Sequence, residues 1–278
     1  MRPRVRNQES ARSMADDPCS AASEKLTDLY MRYRAVLDAA SPSGRTMPYR
    51  WWARPERLSG LWLPWDQMLE EYARELANMI NALTDHVRRL RAWHVVVEPL
   101  SDIDKLAATH EFIDMLGTFA LSTPYALKGK FAVAAGRLSH QANLAKDIGR
   151  AENFPTGNLY PHDIEPFGRG WTTFRPFMLA LEPLGGKAFR QASANFRHAW
   201  THDFSPNFVI GVSSAVTRAV EADGKVRYGL GERDAFSLNA VADILEIERE
   251  HAYRAFEGFR ALVDEQLAAI IAFDEQRG

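Results

Sequence analysis

Apolar residues return at helical spacing along most of this chain, and the gaps between those runs divide it into segments. From Ser23 to Ala40, Leu26, Leu29, Tyr30, Tyr33, Val36 and Leu37 share one face and predict a first helix. From Trp65 to Trp93 the stripe is Trp65, Leu69, Tyr72, Leu76, Met79, Leu83, Val87 and Leu90. Val95-Val96-Val97 before Glu98-Pro99 reads as a short extended exit. Ser101-Asp102-Ile103-Asp104 carries a capping pattern and starts a helix to about Leu121. Pro124, near N1, opens a separate helix to about Asp147, so these two short-linked helices predict an antiparallel pair.

Two stretches lack that periodicity. Residues 41–64 hold several prolines and glycines with Trp51, Trp52 and Trp62, and read as a strap packed over a core. Ligand stacking is the other use of such tryptophans. Residues 149–183 lose the pattern and gain Pro155, Pro161, Pro166, Pro176, Gly157, Gly168 and Gly170. Long irregular segments inside compact domains are often functional. Helix resumes from about Pro183 to Phe204, buried through Phe189, Ala192, Phe196 and Trp200, until Pro206 stops it.

The period then changes to two. Phe208, Ile210, Val212, Val216 and Val220 alternate, as do Val226, Tyr228 and Leu230 beyond Ala222-Asp223-Gly224-Lys225, which predicts a hairpin. A last helix runs from Asp234 to about Glu275. The fold class is therefore mainly α: a bundle of about six helices with one β-hairpin near the C-terminal third. Residues 1–22 read as a disordered tail, with Met14 a second candidate start, and residues 23–278 as a single helical domain.

Composition narrows the chemistry. Of 278 residues, 46% are hydrophobic, enough for a sizeable core, and the formal charge of -2 excludes a chain coated in basic residues. A local basic groove remains allowed. Cys19 is the single cysteine, which excludes intramolecular disulfides and a cysteine metal cage and suits a reducing compartment. The basic start leads into no apolar h-region, and no run reaches the roughly 18 apolar residues of a membrane span. The expectation is a cytoplasmic protein with no membrane partner. No Walker loop, dinucleotide fingerprint or Gly-x-Ser-x-Gly elbow occurs, so no cofactor is expected.

The candidate chemistry lies in Asn195-Phe196-Arg197-His198-Ala199-Trp200-Thr201-His202. Arginine can hold a phosphate bidentately, and imidazole titrates nearest neutral pH. Spacing alone is weak, since Arg88 and Arg89 precede His94 at similar distances. Context separates the two cases. Arg197 to His202 occupies a predicted last turn, and the residues before it are mainly basic, with Arg169, Arg175, Lys187 and Arg190 against Glu182.

Arg197-His198-Ala199-Trp200-Thr201-His202 resembles the Arg-polar-x-x-x-His signature of the HEPN superfamily. These are α-helical, commonly dimeric proteins that include metal-independent endoribonucleases of toxin–antitoxin and phage-defence systems. The match is sharp over one hexad and looser in layout from Trp65 onward. The long irregular segment and the hairpin depart from a minimal HEPN bundle, which puts activity in question. The resemblance implies a homodimer acting on RNA, with an antitoxin-like protein as a further partner. His202 would be the general acid and base, Arg197 would hold the scissile phosphate, and His198 would assist. Arg169, Arg175, Lys187 and Arg190 would bind the substrate.

Geometry qualifies that assignment. Helical positions five apart diverge by about 140°, whereas His198 and His202, four apart, share a face. That shared face also suits a metal pair completed by His110, His140 or His162-Asp163, although no Glu follows the first His as in zinc hydrolases. A third reading is a non-catalytic helical module that binds nucleic acid or protein, with the histidines capping a helix. Asp203 reads as a helix-end residue or as a carboxylate orienting an imidazole.

Overall fold

The long apolar stripes fold as amphipathic helices. The computed structural model describes residues 18–41, 43–53, 58–155, 157, 159–213, 216–221, 223–231 and 233–277. Helix α1 spans Pro18–Ala39 and α2 spans Leu63–Val97. Helix α3 (Asp102–Ala108) runs through a π-turn at Thr109–Ile113 into α4 (Asp114–Ala142). Four short helices follow: α5 (Glu165–Gly168), α6 (Phe174–Leu181), α7 (Lys187–Ala192) and α8 (Phe196–His202). Strands β1 (Val212–Ser213), β2 (Val216–Val220), β3 (Val226–Leu230) and β4 (Arg233–Asp234) precede α9 (Leu238–Glu275). The protein is mainly α, as the periodicity predicts.

Helices α2, α4 and α9 pack on one another, with α6 against α9 and α1 against α2. On α2, Leu69, Ala73, Leu76, Ile80, Leu83, Val87 and Leu90 are fully buried at the spacing of one helical face. The apolar interior has two lobes. One holds Leu76, Ile80, Leu127, Phe131, Phe256 and Phe259; the other holds Leu83, Leu90, Leu121, Phe196, Phe208 and Leu245. Glu248 and Arg249 lie where α9 passes between the lobes. The strap reading of the tryptophans holds for the described residues. Trp62 is buried with its Nε1 donating to Asp274 at 2.9 Å, and Trp51 meets Phe256 edge-on.

Several boundaries differ from the sequence expectation, each for a physical reason. Residues 1–17 of the expected tail, Pro42 and Pro55 lie outside the described residues, while residues 18–22 already form the first turns of α1. Val95-Val96-Val97 continue α2 because Val96 and Val97 are buried, and burial outweighs the modest helix penalty of β-branched residues. Pro124 lies inside α4, so the expected antiparallel pair is one rod interrupted only by the π-turn. Ser122 and Thr123 donate back to the Thr118 and Phe119 carbonyls in the turn before the proline. Pro166 and Pro176 sit in the first turns of α5 and α6, where a proline costs little, so residues 149–183 are less irregular than they read.

The predicted helix from Pro183 to Phe204 is two helices. Ala194 and Asn195 take left-handed conformations, with φ of 49° and 54°, and turn the chain between α7 and α8. Trp200 is consequently 56% exposed, not buried as its spacing suggests, and Ala192 is exposed too. The hairpin forms as predicted, with Val216 opposite Leu230 and Val220 opposite Val226, and β1 pairs with β4 at its base.

Candidate functional site

Helix α8 is held by two residues. Phe196 and Ala199 are buried, three positions apart, and the Phe196 ring packs on Phe208 and Phe236 at 5.7 and 6.4 Å between centroids. The remaining face is free, so Arg197, His198, Trp200, Thr201 and His202 all point outward from the core. The left-handed corner is tied by the Asn195 N–H donating to the Arg190 carbonyl at 2.6 Å. The Asn195 carbonyl then accepts from His198 and Ala199 and starts α8.

The histidines share a face as their spacing requires, with ring centroids 5.3 Å apart. Arg197 turns elsewhere. Its guanidinium carbon lies 5.5 Å from the Tyr125 ring centroid, on α4. The structure therefore joins His198 to His202 and Arg197 to Tyr125, and among the described residues it shows no hydrogen bond or ring contact between Arg197 and His202. Asp203 occupies the C-cap of α8 and makes no hydrogen bond to either imidazole among the described residues.

The four other candidate cations are exposed: Arg169 after α5, Arg175 on α6, Lys187 and Arg190 on α7. Neither they nor Arg197 forms an ion pair with a carboxylate among the described residues. Sequence reading missed two charged groups beside them. Lys128, on α4, donates to the Glu182 carbonyl at 2.7 Å and lines the same hollow as Arg175. Burial pushes its ammonium below the ordinary lysine range, against the pull of Glu182 and Glu248. Arg190 lies within electrostatic reach of both Lys128 and Tyr125, so a basic strip connects the α6 side to α8.

Glu248 is the second. It is 2% exposed and accepts the Gly185 N–H at 2.6 Å. Burial pushes its carboxyl up to about 7, opposed by the Gly185 hydrogen bond and by Lys128. Gly185 has a φ of 57°, and a side chain there would meet the Pro124 carbonyl at 3.3 Å. One sequence signal did mark Glu248: it falls on the apolar stripe of α9, between Leu245 and Ala252. Lys128 carries no such mark.

Two histidines outside α8 have carboxylate partners of their own. His140 meets Glu152 at 2.9 Å, and His162 meets Asp163 at 3.3 Å. Among the described residues no group of three or more His, Cys, Asp or Glu is arranged to hold a metal ion. No helix among them is long and apolar enough to cross a membrane. No family model, curated protein or solved structure matches this chain.

Proposed function

We propose that this protein is a metal-independent endoribonuclease of HEPN type. The observation that carries the reading is the exposed His198–His202 pair on a short helix that also carries Arg197, a cation with no carboxylate to neutralise it among the described residues. Cleavage needs one group to take the 2′-hydroxyl proton and one to give a proton to the leaving 5′-oxygen. Two imidazoles on one face can divide those roles. The 2′-oxygen attacks phosphorus, the bond from phosphorus to the 5′-oxygen breaks, and a 2′,3′-cyclic phosphate and a 5′-hydroxyl result. Arginine neutralises charge on the pentavalent phosphate. Because Arg197 faces Tyr125, a second copy of the chain is proposed to set its arginine opposite the histidines.

The test is RNA cleavage in EDTA by the wild type, Arg197→Ala, His198→Ala and His202→Ala. Metal-free cleavage giving cyclic phosphate ends, and lost in the histidine variants, is the expected result. Absence of cleavage by folded wild type across several RNAs would refute it. The exposed rings of Trp200 and Phe204 favour a second reading, RNA binding without cleavage, since exposed aromatics serve as base-stacking platforms. Under that reading Trp200→Ala weakens RNA binding while no product forms with any variant.

A further inference from the structure

Beside α6 the surface opens into two adjoining hollows of about 460 and about 590 Å³, which share Pro161, His162, Arg175 and Met178. Their walls are fixed independently of α8. Glu265 of α9 accepts the Thr172 and Thr173 N–H groups at 2.8 and 2.9 Å and anchors the start of α6. Lys146 donates to the Gly170 carbonyl at 2.6 Å and lies 3.6 Å from the Trp171 ring centroid. Such volumes are in the range that holds a small molecule.

The lining is specific in its chemistry. Arg175 stands in the middle of the groove, exposed and without a carboxylate partner among the described residues. Lys128 and Glu182 close one end, and Arg169 and Glu165 the other. Met178 supplies apolar surface. His162 stacks parallel to Tyr160, 3° between planes, and its side chain is 79% exposed, so it presents a flat open face. A guanidinium fork suits a phosphate, and a flat π face suits a base. The carboxylates at both ends oppose a polyanion lying along the whole groove. One phosphate at the centre with one planar ring beside it avoids that objection.

We propose that the α6 groove binds a single nucleotide unit, with Arg175 on its phosphate and His162 against its base. The unit is either a free nucleotide or one residue of a longer RNA strand, and the site stands apart from the cleavage reading. The test is calorimetric titration of the full chain with 5′-AMP, inorganic phosphate, decanoate and an eight-residue RNA. Wild type, Arg175→Glu, His162→Ala and the hairpin variant Arg218→Glu are compared, because Arg175, His162 and Arg218 are surface positions. The expected result is saturable 5′-AMP binding, tighter than phosphate alone, weakened about tenfold or more by Arg175→Glu and unchanged by Arg218→Glu. Weakening of the RNA alone by Arg175→Glu assigns the site to a strand; weakening of both assigns it to free nucleotide as well. Loss of neither, or decanoate binding more tightly than 5′-AMP, overturns the proposal. RNA cleavage in EDTA, followed in the same variants, reports on the catalytic reading separately. Cleavage without groove binding would sink this site alone, and groove binding without cleavage would sink the nuclease alone.

Discussion

The cations of the bundle and those of the α5–α8 side differ in what surrounds them. On α2 and α9, Arg74 pairs with Glu70, Arg89 with Asp85, Arg91 with Asp243 and Glu246, and Arg260 with Asp264. From Arg169 to Arg197, five cations have no such partner among the described residues. A neutralised surface charge adds little to stability and offers little to a ligand. An unneutralised one keeps its field for whatever anion arrives. The contrast marks a side with unneutralised cations on a molecule whose net charge of -2 gives no hint of it.

The largest effect that would sharpen this contrast is catalytic. On the cleavage reading, His202→Ala lowers the rate by about 10² to 10⁴, the range for a lost general acid or base, with RNA affinity nearly unchanged. Arg91→Ala, on the paired side, leaves the rate as it is. Single-turnover cleavage in EDTA distinguishes the two sides, and equal losses from both would break the comparison.

The next effect concerns the ionisable group buried between the lobes. Folded protein holds the Glu248 proton to about 7, while the unfolded chain releases it near the ordinary glutamate value of 4.5. Stability from this group is therefore full below about pH 4.5 and is lost as pH rises through about 7. The loss is on the order of 3 kcal/mol by linkage. Glu248→Gln keeps an acceptor for the Gly185 N–H and removes that part of the pH dependence. Urea unfolding of both proteins between about pH 5 and about pH 8 checks it; parallel pH profiles would show the carboxyl to be ionised throughout.

Smaller again is the electrostatic effect on binding. Arg190→Ala weakens RNA binding about tenfold and lowers the slope of log affinity against log salt by about 0.7, the single-strand value for one phosphate contact. Filter binding across a salt series measures both. Arg260→Ala, whose pair spans 3.9 Å on the bundle surface, changes unfolding free energy by about 0.5 kcal/mol or less and leaves the salt slope alone.

How much of this was legible in the chain depends on the range of the interactions. The stripes of α2 and α9 and the hairpin alternation are local patterns, and they gave the mainly α class directly. Pro124 misleads because the burial of Leu121 and Leu127 on either side, which holds α4 together through the proline, is a tertiary effect. The break at Ala194-Asn195 carries neither glycine nor proline, and Asn195 alone, a residue that tolerates the left-handed region, is too weak a local mark to announce it. At the candidate site the shared face of His198 and His202 follows from their spacing. Lys128 and Glu248 reach the basic strip only because α4 and α9 pack beside the segment that follows α6.

That corner at Ala194 and Asn195 has a consequence for what substitutions the chain can accept. Two adjacent non-glycine residues in the left-handed region cost about 1–2 kcal/mol each against the right-handed form. Asparagine is among the few side chains that bear this readily. Position 195 therefore has a short alphabet: glycine or aspartate would keep the turn, whereas valine or isoleucine would favour a straight rod from α7 into α8. Such a rod would swing the histidines around the helix axis and pull Phe196 from its aromatic neighbours. Exploration of new sequences on the exposed face of α8 is thus limited by backbone handedness at the corner that precedes it.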